Sequence, residues 1–142
     1  MKRKASAVWQ GGLKDGKGTV STDSGVLSDT QYSFSTRFED GVGTNPEELI
    51  AAAHAGCFSM FLSASLEKAG HPVTRIETRA AVTIETVDGA PTITRSVLDV
   101  RGKVPDMDQA AFEQAAEAAK KNCPVSKALQ GNVEITLSAK LV

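Results

Sequence analysis

The stretch TNPEELIAAAHAGCFSMFL, residues 44–62, decides the fold. Asn45 can cap a helix with its side-chain oxygen, and Pro46 suits the first helical position. Glu47 and Glu48 favour the positive end of the helix dipole. The chain then stays apolar for most of its length, and Gly70 and Pro72 supply the stop. The sequence therefore predicts one helix from Pro46 to about Lys68. About 22 residues at 1.5 Å each give ~33 Å. The stretch is apolar on more than one face, the pattern of a helix enclosed by other structure. In its middle stands Cys57, between Gly56 and Phe58, and the only other cysteine is Cys123.

On the amino-terminal side, short strands with glycine turns are expected at residues 5–9, 18–21 and 32–38. In the last of these Tyr32, Phe34, Thr36 and Phe38 share one strand face, and Arg37 lies on the other with Ser33 and Ser35. On the carboxyl-terminal side, residues 73–87 and 92–104 read as a hairpin joined by Asp88-Gly89-Ala90-Pro91. Asp108 caps a second helix, Gln109 to about Asn122, and Pro124 starts a short one to about Leu129. Residues 133–142 form a last strand, with apolar residues at every second position. The order βββ-α-ββ-αα-β is α+β, a mostly antiparallel sheet around one long central helix.

A chain of 142 residues suits a single domain, 1–142, and can bury a substantial core. Sixteen basic against 17 acidic residues leave a net charge of −1, which gives no electrostatic reason to expect nucleic acid or an acidic membrane as partner. The opening MKRKASAVW is basic but has no apolar run after it, so the chain reads as cytoplasmic. No segment is read as reaching the ~20 apolar residues of a membrane helix.

In a cytosolic chain two cysteines are reduced thiols rather than a staple. They lie 66 positions apart, and no CxxC pair suggests zinc. Inert core, redox pair and nucleophile remain open. A free cysteine on an apolar helix is usually a small hydrophobe. Against that, Gly56 permits close approach of a backbone or substrate. Cys123, in Asn122-Cys123-Pro124-Val125-Ser126, falls at or near a helix cap, where backbone N–H groups favour a thiolate.

GTNPEELIAAAHAGCFSMFLS (residues 43–63) together with NCPVSKAL (122–129) resembles the OsmC/Ohr family of organic hydroperoxide reductases, in its OsmC branch. The likeness extends to STRFE (35–39) and runs the length of the chain in element order. It implies an OsmC-like fold, an intertwined homodimer with sites at the subunit interface, and a thiol-dependent peroxidase. Cys57 falls on the family's peroxidatic cysteine, which attacks the peroxide and becomes a sulfenic acid. Cys123 falls on the resolving cysteine, which condenses with it to a disulfide and releases water. Arg37 and Glu47 fall on the activating arginine and its carboxylate partner. No metal, haem or flavin is implied. A dithiol must reopen the disulfide, and the family points to lipoyl groups on partner proteins as that reductant.

Acid–base chemistry asks for the same set. A thiol near its usual pKa of ~8.5 is only a few per cent thiolate at neutral pH, and burial makes matters worse. One arginine at ~4 Å, in an effective dielectric of ~20, contributes ~4 kcal/mol before the desolvation penalty. Its remaining donors can hold the peroxide and stabilise the departing alkoxide. The carboxylate fixes the guanidinium plane and weakens its net pull, so it contributes orientation rather than charge. The apolar setting favours an organic hydroperoxide over hydrogen peroxide.

Glu47 and Cys57 are ten residues apart, so ~15 Å of rise separates them and they point ~80° apart. One helix can hardly bring both to one sulfur. Two copies packed antiparallel about a twofold axis can, which assigns Glu47, with Arg37, to the partner chain's Cys57.

His54, one turn before Cys57, is read as a histidine hydrogen-bonded in place rather than a base or ligand. His71 reads as a helix-end residue and Glu48 as a solvated first-turn charge. Phe58, Met60, Phe61 and Leu62 read as core, and with Trp9 and Phe38 they are also candidates to line an apolar pocket. Arg75, Arg79, Arg95 and Arg101 read as surface charges. The alternative function is a non-catalytic dimeric binding module for an apolar ligand. A metal site of His54, Cys57 and Cys123 has poor ligand spacing.

Overall fold

In a computed structural model describing all residues, Met1–Val142, the glycine-punctuated amino terminus builds β1 (Ala5–Gln10), β2 (Lys17–Thr22) and β3 (Thr30–Tyr32). They pair antiparallel in the order β1-β2-β3. Beyond Tyr32 the expected strand over 32–38 does not form. Residues Phe34–Phe38 are a short helix, α1. The cause is local. Ser33 Oγ accepts from the Thr36 N–H at 3.3 Å, and Thr36 Oγ1 accepts from the Ser33 N–H at 2.8 Å, a reciprocal capping box. Phe34 and Phe38, one turn apart, then meet with centroids 4.9 Å apart. The aromatic spacing that looked like strand alternation is also an i, i+4 pair.

The long helix α2 runs Pro46–Lys68, and the Asn45 side-chain oxygen accepts from the Glu48 N–H at 2.8 Å, as the cap reading requires. It ends in a Schellman motif: the His71 N–H donates to Leu66 O at 2.8 Å and the Gly70 N–H to Glu67 O at 3.0 Å. By length and composition α2 does qualify as a membrane span, correcting the expectation that no segment would. Its small residues, alanine and glycine, make it apolar overall without a long run of large side chains.

Next come β4 (Arg75–Val87) and β5 (Ala90–Lys103), a hairpin closed by Asp88 and Gly89, both at positive φ. The turn is two residues, tighter than the four expected. A register shift at Thr83/Ile84 interrupts the pairing of β4 with β5. Helices α3 (Gln109–Asn122) and α4 (Pro124–Leu129) carry the chain to β6 (Glu134–Leu141), which lies parallel to β5. The architecture is α+β, with two three-stranded sheets, the second ordered β4-β5-β6, and one parallel pairing among four.

The chain divides into two compact units, Met1–Leu49 and Ile50–Val142. The buried hydrophobic core lies wholly in the second: Phe58, Leu62 and Leu66 of α2 against Leu98 and Val100 of β5 and Phe112, Ala116 and Ala119 of α3. The buried side chains of α2 are Glu47 in its first turn and then one stripe, His54, Phe58, Leu62 and Leu66, at every fourth residue. Ala52, Ala53, Gly56 and Ala64 are exposed and Met60 is 77% exposed, so the helix is not enclosed by its own chain.

On β5, Gly102 leaves room for the Phe112 ring, and a Cβ there would fall 2.7 Å from Phe112 Cε2. Gly102→Ala is expected to lower unfolding free energy by about 1–3 kcal/mol, read by denaturant titration, because the ring has no space to yield.

Candidate active site

Two constellations carry the polar chemistry, one in each unit. In the first, α1 and the start of α2 are tied together: the Thr44 N–H donates to Gln31 O, and Asn45 Nδ2 donates to Thr36 O, both at 2.9 Å. These bonds bring Arg37 to Glu47. Arg37 Nε and Nη2 each lie 2.9 Å from Glu47 Oε1. The other carboxylate oxygen, Oε2, is buried without a hydrogen-bond partner. Glu48 instead accepts from Thr44 Oγ1 at 2.7 Å and is exposed, which separates the two adjacent glutamates as expected.

Beside Arg37 is a cavity of about 260 Å³ lined chiefly by Trp9, Leu13, Tyr32, Phe34, Arg37 and Phe38. Trp9 and Tyr32 have ring centroids 5.4 Å apart, and the Arg37 guanidinium sits 5.3 Å from the Phe38 centroid. Trp9 and Phe38 thus line a pocket as anticipated. Phe58 and Leu62 do not; both are fully buried in the core of the second unit. Phe34 became a pocket residue through the helical turn that a strand reading hides, and it joins Tyr32 at the end of β3.

In the second unit, Cys123 closes α3 and caps α4, its backbone extended ahead of Pro124. Its Sγ accepts from the Ser126 N–H at 3.3 Å. Cys57, half-buried on α2, packs against the core cluster that contains Cys123, and the Val125 N–H and the Cys123 thiol both act on its sulfur. Both thiols are free. Burial pushes the Cys57 thiol above its ordinary value, the Val125 N–H pulls it back, and the neighbouring Cys123 pushes it up again. Taken alone, this unit keeps Cys57 protonated at neutral pH.

His54 is fully buried and saturated: Nδ1 is 2.7 Å from Ser96 Oγ and Nε2 2.8 Å from Ser126 Oγ. Burial lowers its pKa, so the ring is neutral at pH 7. With both ring nitrogens engaged it has no free lone pair for a metal. The expectation of a histidine hydrogen-bonded in place describes this ring, but the sequence reading missed both serines. Ser96 had a signal, since it continues the inward row Ser96, Leu98, Val100 as its one polar member. Ser126 stands three residues after a capping cysteine, where its N–H must face the cap. Arg75 and Arg95 lie exposed in ion pairs with Glu77 and Glu134, as surface charges should.

The family model described as OsmC-like protein matches residues 38–138. The chain is 50% identical over 139 residues to Peroxiredoxin OsmC of Escherichia coli (strain K12), covering 98% of this chain and 96% of that protein. It is 36% identical over 100 residues to the Organic hydroperoxide resistance protein of Xanthomonas axonopodis pv. citri (strain 306), covering 69% and 68%. Among solved structures, the organic hydroperoxide resistance protein OhrB of Bacillus subtilis matches with a TM-score of 0.75 at 29% identity, over 96% of this chain and 98% of that one. By its two cysteine motifs, its α+β architecture and these likenesses, the chain belongs to the family of OsmC-like proteins.

Proposed function

We propose that the chain is a thiol-dependent peroxidase that reduces organic hydroperoxides to alcohols. The observation that carries this reading is the pair of free thiols, Cys57 and Cys123, side by side at the start of α4 in a chain half identical to a peroxiredoxin. The Cys57 thiolate attacks the peroxide oxygen and the alkoxide leaves as alcohol. Cys123 then displaces water from the sulfenic acid, and a dithiol, such as the lipoyl group of a partner protein, reopens the disulfide. Arg37, oriented by Glu47, supplies the positive charge that Cys57 lacks within its own unit. The aromatic pocket beside Arg37 suits an apolar peroxide tail. No metal, haem or flavin enters the scheme, and a cytoplasmic setting keeps the thiols reduced.

The working form is a homodimer, with 1–142 acting as one domain in each copy. Residues 1–49 contain no buried hydrophobic side chain at all, and a unit of that size without a core is not stable by itself. The open face of α2, with Ala52, Gly56 and Met60, is small and apolar enough to receive a second copy. The unpaired Glu47 Oε2 calls for a donor from outside its chain.

Reduced protein given one equivalent of cumene hydroperoxide is expected to consume it in a single turnover and to lose two hydrogens by mass. Peptide mapping should then show a Cys57–Cys123 bridge. Cys57→Ser should consume none. Unchanged mass with intact peroxide would favour the apolar-ligand binding module and end the peroxidase reading.

A further inference from the structure

The Cys123 thiol does not end at its neighbour. Its Sγ donates to Ser126 Oγ at 3.1 Å. Ser126 Oγ is 2.8 Å from His54 Nε2, and His54 Nδ1 is 2.7 Å from Ser96 Oγ. Cys123, Ser126, His54 and Ser96 are each wholly buried. They come from α4, its cap, α2 and β5, so three separate elements converge to build one polar chain through an apolar core. With the thiol proton donated to Ser126 Oγ, the Ser126 hydroxyl proton is left for Nε2, and in that tautomer the ring carries its own proton on Nδ1, toward Ser96. A buried network of this kind is costly unless every member is satisfied, and here each is. No ion pair includes His54, and the titratable groups along the chain are the ring and the two thiols.

We propose that Ser126 and His54 form a proton relay that activates Cys123 as the resolving thiol. The inference rests on the peroxidase reading above. As Cys123 Sγ attacks the Cys57 sulfenic sulfur, its proton passes to Ser126 Oγ while the Ser126 proton passes to His54 Nε2. The S–S bond forms and the S–O bond breaks, and its electron pair leaves with oxygen. The hydroxide takes a proton from solvent and departs as water. When the dithiol later cleaves the disulfide, its electrons restore the Cys123 thiolate, which recovers the proton held at His54. One of the dithiol's two protons goes to Cys57 and the other to solvent, so the cycle closes. Ser126 touches the reacting sulfur; His54 is a positioning residue acting through it. The neutral state that burial imposes on His54 is the state able to accept a proton.

The test separates the two steps. Reduced full-length protein is mixed with one equivalent of cumene hydroperoxide, and peroxide loss and disulfide appearance are timed independently across pH. Ser126→Ala is expected to slow disulfide formation at least tenfold relative to peroxide loss, so that a sulfenic acid accumulates and is trapped by dimedone. Ser126→Thr, which keeps the hydroxyl, should restore most of the rate. In wild type, disulfide formation should fall on acidification, with its inflection below the ordinary histidine range, as His54 takes up its proton from solvent instead. His54→Gln keeps a hydrogen-bonding group for each serine but stores no proton, and should be slow and lack that inflection. Disulfide formation as fast as wild type in Ser126→Ala, or an acid inflection retained in His54→Gln, would overturn the relay. If wild type leaves cumene hydroperoxide intact, the peroxidase reading fails by itself. The same comparison with diamide, which activates Cys57 for attack by Cys123, then still decides the relay.

Discussion

Replacing Arg37 with alanine is expected to slow peroxide consumption ~100- to 1,000-fold at pH 7, with a deficit that shrinks as pH rises. The sign follows from the thiol. Burial and the adjoining Cys123 both raise the Cys57 pKa, and one backbone N–H opposes them. Without an added cation the thiol is protonated at neutral pH, and the reactive fraction grows tenfold for each pH unit until the thiol ionises. A guanidinium at ~4 Å in an effective dielectric of ~20 contributes ~4 kcal/mol, close to 1,000-fold in the ionisation constant. Glu47 holds Arg37 through one oxygen and takes back part of that pull, which sets the lower end of the range. Stopped-flow rates from pH 6 to 10 would show wild type nearly flat and the variant climbing. A deficit equal at every pH would assign Arg37 to the departing alkoxide rather than the thiolate. A loss under threefold would remove it from the site.

Much of this was legible beforehand because it is local. Asn45-Pro46-Glu47-Glu48 sets the start of α2, Asp108 and Pro124 set two more helix starts, and the alternation in 133–142 sets β6. These signals need no knowledge of distant contacts. The short helix α1 was misread because Tyr32, Phe34, Thr36 and Phe38 satisfy a period of two as well as an i, i+4 contact, and the Ser33–Thr36 capping box breaks the tie. For α2, residue types record that several faces avoid water, and this chain itself buries the stripe through His54, Phe58, Leu62 and Leu66 while Met60 stays exposed. Ser96, 42 positions from His54, and Ser126, 72 positions away, escaped because hydrogen bonds of that reach leave no spacing to recognise.

The second large effect is expected from a mixed dimer, one chain carrying Cys57→Ser and the other Arg37→Ala. Purified through two different affinity tags, it should consume an alkyl hydroperoxide at about half the wild-type rate per dimer. The Cys57→Ser homodimer should be inactive, and the Arg37→Ala homodimer should show the deficit above. The reasoning starts from α2, which is continuous from Pro46 to Lys68. At 1.5 Å per residue Glu47 and Cys57 stand ~15 Å apart along the axis of one chain. Arg37 is tied to Glu47 of its own chain at 2.9 Å, so the pair moves together and cannot be divided between copies. An antiparallel partner helix would set the start of one α2 beside the middle of the other. The chain with intact Arg37 and Glu47 then serves the chain with intact Cys57, and one complete site survives. If each chain served its own sulfur, neither copy in the mixture would be complete, and the rate would not exceed that of the Arg37→Ala homodimer. Thermal melts of all three dimers, matched within a few degrees, would assign the difference to site assembly rather than folding.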